Sequence, residues 1–313
     1  MRPLILGSAG SQPTPKAGCG CRLCSLAREQ GGRVRRSGPS LYLPAAGLLI
    51  DTPEESNGQL TNHNLAPRHV AWTHAHPDHA AGMRVVQFLA QSTGRAVLGI
   101  VPAPLHPVLA ARYQLDYLVN AGYLELRLLP PGRAVEIGDV RLTALAHQME
   151  EPVFAYVFER AGARGLYAPD HFRFLPTPAG HFDWAVVQMP IPSLNFLPFE
   201  LPPEHEAWRN FYTFEDVTRI WRGKTDRLVF THIYESVGMT PEELDTVAAS
   251  AGDWVEFAYD GMEVASKKDG GSKEDRLRLF KAEQRRIERQ FAKDPKRMRA
   301  ELRLLWARHK EAD

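Results

Sequence analysis

An apolar run, Val70-Ala71-Trp72, leads straight into Thr73-His74-Ala75-His76-Pro77-Asp78-His79. Three imidazoles and a carboxylate within six positions at a strand end have no packing rationale. They are the donors that divalent transition ions take. His74 and His76 stand two apart on extended chain, so their side chains point to one face and can hold one ion. Asp78 and His79 follow where the chain turns into a helix, so they leave the backbone in another direction and reach a second ion nearby. Mixed nitrogen and oxygen donors suit Zn²⁺, Mn²⁺ or Fe²⁺ and not Ca²⁺, which prefers oxygen alone. A second cluster holds all three cysteines, Cys19, Cys21 and Cys24. An odd number of thiols this close together cannot make a disulfide framework, so the spacing predicts a metal clip.

The elements that must position these residues are short. Strand-like runs at 4–6, 40–43, 48–51, 69–73, 96–101, 125–129, 140–145, 154–159, 165–168, 184–188 and 227–231 alternate with Gly, Pro, Asp or Asn punctuation. Helical patterns cover 80–91, 107–121, 213–223 and 241–250, the last with Thr240 as N-cap, Pro241 at the first helical position and Glu243 completing a capping box. Many strands and few helices predict an α/β chain of sheets packed on each other with helices outside. With 44% hydrophobic and 24% charged residues in 313 positions, a buried core is expected and disorder is excluded. The net charge of +1 hides an asymmetry. Residues 266–313 carry 16 Lys and Arg against 9 Asp and Glu, a net of +7, which leaves 22 against 28, or −6, for residues 1–265. The reading is therefore a body at 1–265 and a basic tail at 266–313. In the tail Leu277, Phe280, Ile287 and Phe291, then Met298, Leu302, Leu305 and Trp306, keep helical spacing.

His-x-His-x-Asp-His after an apolar strand resembles the metallo-β-lactamase superfamily of binuclear hydrolases. The resemblance implies a four-layer αββα sandwich with two metals at the sheet edges and further ligands from strand-end loops. His147, Asp170 and His232 each close an apolar strand in the required order. By resemblance His74, His76 and His147 hold the first ion, Asp78, His79 and His232 the second, and Asp170 bridges them. Gly7-Ser8-Ala9-Gly10, then Cys19-Gly20-Cys21-Arg22-Leu23-Cys24, then Arg35-Arg36-Ser37-Gly38 resemble the start of the phosphoribosyl 1,2-cyclic phosphate phosphodiesterase branch. That branch places the three cysteines around a structural zinc, with a histidine three residues after the last catalytic histidine. The equivalent here is Glu235, so the fourth ligand is this carboxylate or a water. The branch also has an active-site histidine before a helix start. Asn210-Phe211-Tyr212-Thr213 lacks it, and His205 or His171 would substitute. Asp78, His205 and His171 are thus the candidate catalytic groups. The segment 189–208, rich in proline and aromatics, is expected to shape the substrate pocket.

The resemblance implies two divalent ions, Zn or Mn, at the active site, one structural Zn, and hydrolysis of a small, cyclic nucleotide-like or sugar phosphodiester by a hydroxide shared between the two ions. Acyl hydrolysis of the hydroxyacylglutathione hydrolase type uses the same ligands, and a non-enzymatic metal- or cofactor-handling role like the pyrroloquinoline quinone biosynthesis protein B group is the further alternative. The N-terminus lacks an apolar core and cleavage site, and the longest apolar runs fall far short of the roughly 20 residues a membrane helix needs. A cytoplasmic protein with a small-molecule substrate and no membrane partner is expected. The tail is expected to dock on the body or on a second copy in a homodimer. Its interspersed acids argue against nucleic acid without excluding it.

Overall fold

A computed structural model describes residues 1–192, 202 and 204–265, and positions 284, 287, 295, 297–299, 301 and 302 of the tail. The chain divides into two compact units, Met1–Lys267 and Lys268–Asp313. In the second, Ile287 is buried, with Met298 and Leu302 against it. Leu277, Phe280, Phe291, Leu305 and Trp306 lie outside the described residues.

The first unit is built on two seven-stranded mixed sheets. One contains β1 (Leu4–Gly7), β2 (Ser40–Leu43), β3 (Leu48–Ile50), β4 (His69–Ala71), β5 (Val97–Pro102) and β6 (Leu124–Leu129). The other contains β7 (Ala134–Ile137), β8 (Val140–Ala146), β9 (Phe154–Arg160), β10 (Ala163–Ala168), β11 (Trp184–Gln188), β12 (Leu228–Thr231) and β13 (Val255–Phe257). The chain then returns to the first sheet, where β14 (Met262–Glu263) pairs with β1. In the first sheet β3 to β6 run parallel, and in the second β10 to β13 do. Parallel strands end on the same edge, which is where ligand sites of such sheets form.

Side-chain alternation sorts each central strand into two layers. Trp184 and Val186 of β11, Tyr156 and Phe158 of β9 and Val229 of β12 join one core, with Leu41, Val70 and Ile100 of the first sheet. Their neighbours Ala185, Val187, Ala155, Val157, Leu228 and Phe230 join the other, under the last two helices. The strands are buried on both faces, so they read as continuous apolar runs. This is the expected αββα sandwich.

The helices are α1 (Arg22–Gln30), α2 (Ser56–His63), α3 (Pro77–Ala80), α4 (Val85–Thr93), α5 (His106–Arg112), α6 (Leu115–Asn120), α7 (Ala207–Asn210), α8 (Phe214–Trp221) and α9 (Pro241–Ala249). The capping box at Thr240 and Glu243 forms as expected. Two expected helices are broken. The pattern at 107–121 splits because Tyr113 turns extended, and its hydroxyl donates to the Ala75 carbonyl at 3.0 Å. The pattern at 80–91 splits at Gly82, whose amide bonds the Thr52 carbonyl at 2.9 Å. Helices α1 and α2 and strands β7, β13 and β14 carried no periodicity strong enough to read. Among the described residues no helix is long and apolar enough to cross a membrane.

Gly82 fixes how closely the histidine loop packs on the β3 end, since a Cβ there would lie 1.9 Å from the Pro53 carbonyl oxygen. Gly82→Ala is expected to cost about 1–3 kcal/mol, the range for forced overpacking. Gly58→Ala, with open space around it in α2, is expected to stabilise by about 0.5–1 kcal/mol. Thermal unfolding of the two variants compares them directly.

Candidate metal centre

The loop after β4 is held from both sheets. The Trp72 indole donates to Thr52 Oγ1 at 2.9 Å, the Tyr156 hydroxyl to the Trp72 carbonyl at 2.7 Å, and the Phe154 amide to the Thr73 carbonyl at 2.9 Å. His76 then caps α3 with Pro77 at its first position. His74 and His76 emerge together, with ring centroids 4.4 Å apart, as two positions on one extended face should. Asp78 and His79, one turn on, face His232 at the end of β12.

Two groups of ligand atoms result, each within 4.8 Å of one another: His74, His76, Asp170 and His171, and Asp78, His79 and His232. They meet at Asp170. Its Oδ2 is 3.4 Å from His74 Nε2, 3.9 Å from His76 Nδ1, 3.4 Å from His171 Nε2 and 3.8 Å from His232 Nε2. Asp78 Oδ2 is 3.2 Å from His232 Nε2 and 3.5 Å from His79 Nε2. The other oxygen of Asp170 accepts the His171 amide at 2.8 Å and a proton of the Gln188 side chain. Gln188 in turn donates to the Tyr234 hydroxyl at 3.0 Å.

Buried nitrogens without partners test whether cations fit. His74 Nε2, His79 Nε2, His147 Nε2 and His171 Nε2 are all buried with no hydrogen-bond partner, a costly state unless something else satisfies them. On three of these rings the opposite nitrogen is held: His74 Nδ1 by Thr73 Oγ1 at 3.0 Å, His79 Nδ1 by Asp51 Oδ2 at 2.8 Å, and His147 Nδ1 by the Val153 carbonyl at 3.1 Å. One nitrogen anchored and one lone pair presented is the arrangement of a ligating imidazole. The donor set fits divalent cations.

The electrostatics agree. Burial and the nearby His79 keep His74 well below the usual histidine range, and burial brings His147 down to about 4 and lowers His171. These rings are therefore neutral and free to donate. Burial would raise Asp170 and Asp78, but the surrounding imidazoles outweigh it and hold both well below the carboxylate range. His79 is the exception. Burial opposes its charge, but Asp51 and Asp78 on either side raise it to about 9.

The cysteines gather on Glu235. Its Oε1 is 2.7 Å from Cys21 Sγ, 3.4 Å from Cys24 Sγ and 3.5 Å from Cys19 Sγ, and the four ligand atoms lie within 4.8 Å of one another. Cys21 caps α1, and burial pushes the Cys24 thiol up to about 12. Glu235 is three residues after His232, and Ile233 between them pairs with Ala9.

Of the expected first set His74, His76 and His147, the structure groups His74 and His76 with Asp170 and His171, while His147 is not in that group and its Nε2 is unpartnered. His205 is not brought to either group. It is exposed, and its Nδ1 accepts the Ala207 amide. Much of the segment 189–208 lies outside the described residues. Sequence reading missed Asp51, fully buried, which accepts the Thr73 amide at 2.7 Å as well as His79. The missed signal was an aspartate closing the apolar β3, the same cue that singled out Asp170.

Two measurements follow. Because Asp51 and Asp78 raise His79 to about 9 without metal, filling the site at about pH 7.5 is expected to release about one proton from it. Calorimetric titration in buffers of different ionisation enthalpy counts that proton, and none released would mean that His79 is neutral before the ion arrives or does not bind it. Cys21→Ser is expected to lose about one zinc per chain and some stability while keeping the other ions, as read by elemental analysis and thermal unfolding.

A model of the beta-lactamase superfamily domain matches residues 48–190. Coenzyme PQQ synthesis protein B of Methylobacterium radiotolerans is 36% identical over 97 residues, 26% of this chain and 32% of that protein. The chain thus spans about a third of the length of the curated relative it matches. A diphosphatase from the PhnP family superposes with a TM-score of 0.65 at 19% identity, over 84% of this chain and 97% of that one. Zn²⁺-bound PqqB from Methylobacterium extorquens superposes with a TM-score of 0.65 at 18% identity, over 85% and 100%. The stretch that matches this domain model carries every expected ligand from His74 to Asp170, and the chain shares the two-sheet fold of these solved structures.

Proposed function

We propose that the chain is a binuclear metal-dependent hydrolase of a small phosphodiester, a cyclic or sugar phosphate. Asp78, His79 and His232 would hold one cation, His74, His76 and His147 the other, with Asp170 between them. The observation that carries this reading is the ring of buried imidazole nitrogens without partners around one ionised carboxylate. Bound Zn²⁺ or Mn²⁺ would supply Lewis-acid polarisation and a water of lowered pKa. The chain's own groups do the rest. Gln188 and the His171 amide fix the orientation of Asp170. His147 is given the ligand role because its Nδ1 is anchored and its Nε2 is not. His171 lies in the same group, its Nε2 3.4 Å from Asp170 Oδ2, but its side chain is 24% exposed and it is given a different role. Held neutral by burial, it accepts a proton before it can give one to a leaving group. The clip takes a structural Zn with Glu235 as fourth ligand. The likeness to a PhnP-family diphosphatase supports phosphorus chemistry, whereas the match to coenzyme PQQ synthesis protein B favours a second reading, a metal- or cofactor-handling protein.

Turnover of bis(p-nitrophenyl) phosphate by metal-stripped and refilled protein tests the choice. Hydrolysis is expected, with His76→Ala lowering kcat/KM by more than the roughly 100-fold that loss of an outer partner of a metal ligand costs. Hydrolysis of S-lactoylglutathione instead would assign acyl chemistry. A fully metallated but inert protein would assign the second reading.

A further inference from the structure

His76 differs from its neighbours in which nitrogen faces the cluster. Its Nδ1 is the one turned to Asp170, at 3.9 Å, and its Nε2 points the other way, 3.4 Å from Glu151 Oε2. The second oxygen of Glu151 is 2.8 Å from the Arg112 guanidinium. The same guanidinium nitrogen is 3.4 Å from the Ala75 carbonyl, onto which Tyr113 also donates. Arg112, Glu151 and the backbone between His74 and His76 therefore form one linked patch at the edge of the cluster, assembled from the end of α5 and the loop between β8 and β9. Neither side chain is a core residue. Arg112 is 49% exposed and Glu151 34%.

We infer that Glu151 is a positioning residue for His76: its carboxylate accepts a hydrogen bond from the Nε2–H, which keeps the proton there and leaves the Nδ1 lone pair for the cation, and Arg112 holds the carboxylate in place. A carboxylate on the far nitrogen of a ligating imidazole fixes both tautomer and ring orientation. The fold does this for His79 with the buried Asp51 and for His76 with a partly exposed residue from a different loop. The second arrangement needs a cation to hold it, because an exposed carboxylate is otherwise free to swing into water. The split of the expected helix at Tyr113 is what brings Arg112 to that position. This inference rests on the binuclear reading for its metal, but the geometry it concerns is that of His76 alone.

The test uses the full chain, stripped of metal, with Zn²⁺ alone as the probe in chelator competition. Glu151→Ala is expected to loosen one of the three bound ions by about 10- to 100-fold and leave the clip's zinc and the other active-site ion unchanged. Glu151→Gln, whose amide oxygen still accepts from Nε2, is expected to lose less. Arg112→Met is expected to fall between Glu151→Gln and wild type. Long-range proton–nitrogen spectra of His76 are expected to show protonated Nε2 in wild type and a tautomer mixture in Glu151→Ala. The metal-free melting temperature is expected to be the same for all four proteins. Unchanged zinc affinity with an unchanged His76 tautomer would overturn the inference. So would a loss of affinity matched by a loss of metal-free stability, which would make Glu151 a packing residue. If the Cys21→Ser chain, which lacks the clip's zinc, binds fewer than two ions, the binuclear reading fails on its own, and the His76 tautomer still decides the role of Glu151.

Discussion

Imidazoles and carboxylates crowded into a buried gap at the strand ends are the constraint around which this molecule is arranged. His74, His79 and His232 are almost wholly buried, and Asp170 is nearly so. Groups of this kind are stable inside a protein only if each has a partner. The chain supplies partners for one side of most rings and leaves the other side without one. That asymmetry separates a ligand cage from an ordinary polar network, in which both sides would be satisfied. It also explains the loops. Asp51, His171 and His232 all sit at strand ends with left-handed backbone, at φ of 64°, 51° and 58°. Non-glycine residues adopt such conformations where surrounding contacts impose them, and that is common at functional sites.

The sandwich makes the crowding possible. Two sheets with apolar layers on both faces form a rigid frame, and their parallel strands deliver their C-terminal ends to one edge. Each strand end then needs only a residue or two to reach the cluster. The frame also couples distant pieces of chain. His232 and Glu235 lie on one short loop after β12, so the histidine group and the cysteine group share a support. The Ile233 amide donates to the Ser8 carbonyl and the Gly10 amide to the Ile233 carbonyl, both at 2.8 Å. Below them Asp260 accepts from the amides and hydroxyls of both Ser8 and Ser37, beside the fully buried Arg36. The glycine-rich N-terminal turn, the arginine-serine pair and the last strands are thus tied into one support for the loop that carries His232.

What could be read directly were the local patterns: His-x-His on extended chain, Asp-His at a helix start, three cysteines in six positions, and apolar runs closed by Asp170, His147 and His232. Each rests on strand alternation or helix entry, which act over a few residues. The carboxylate of Glu235, at the position where the family likeness has a histidine, lies among the cysteines. Asp51 carried the same strand-closing cue as Asp170 and was passed over because its partner, His79, is 28 positions away. Glu151 and Arg112 had no cue at all. Each is an ordinary charged residue in its own neighbourhood and acquires a partner only when the loop after β8 and the end of α5 meet.

The amino-acid order alone determined the kind of chemistry and the class of fold, because ligand types, strand periodicity and cysteine spacing are properties of neighbouring residues. Only the tertiary structure decided which imidazole stands beside Asp170, with His171 entering the group and His205 left outside it, and which side chains hold the far nitrogens of His76 and His79. Those choices depend on where strand ends from two sheets meet in space. That distance is set by packing between the layers and not by separation along the chain.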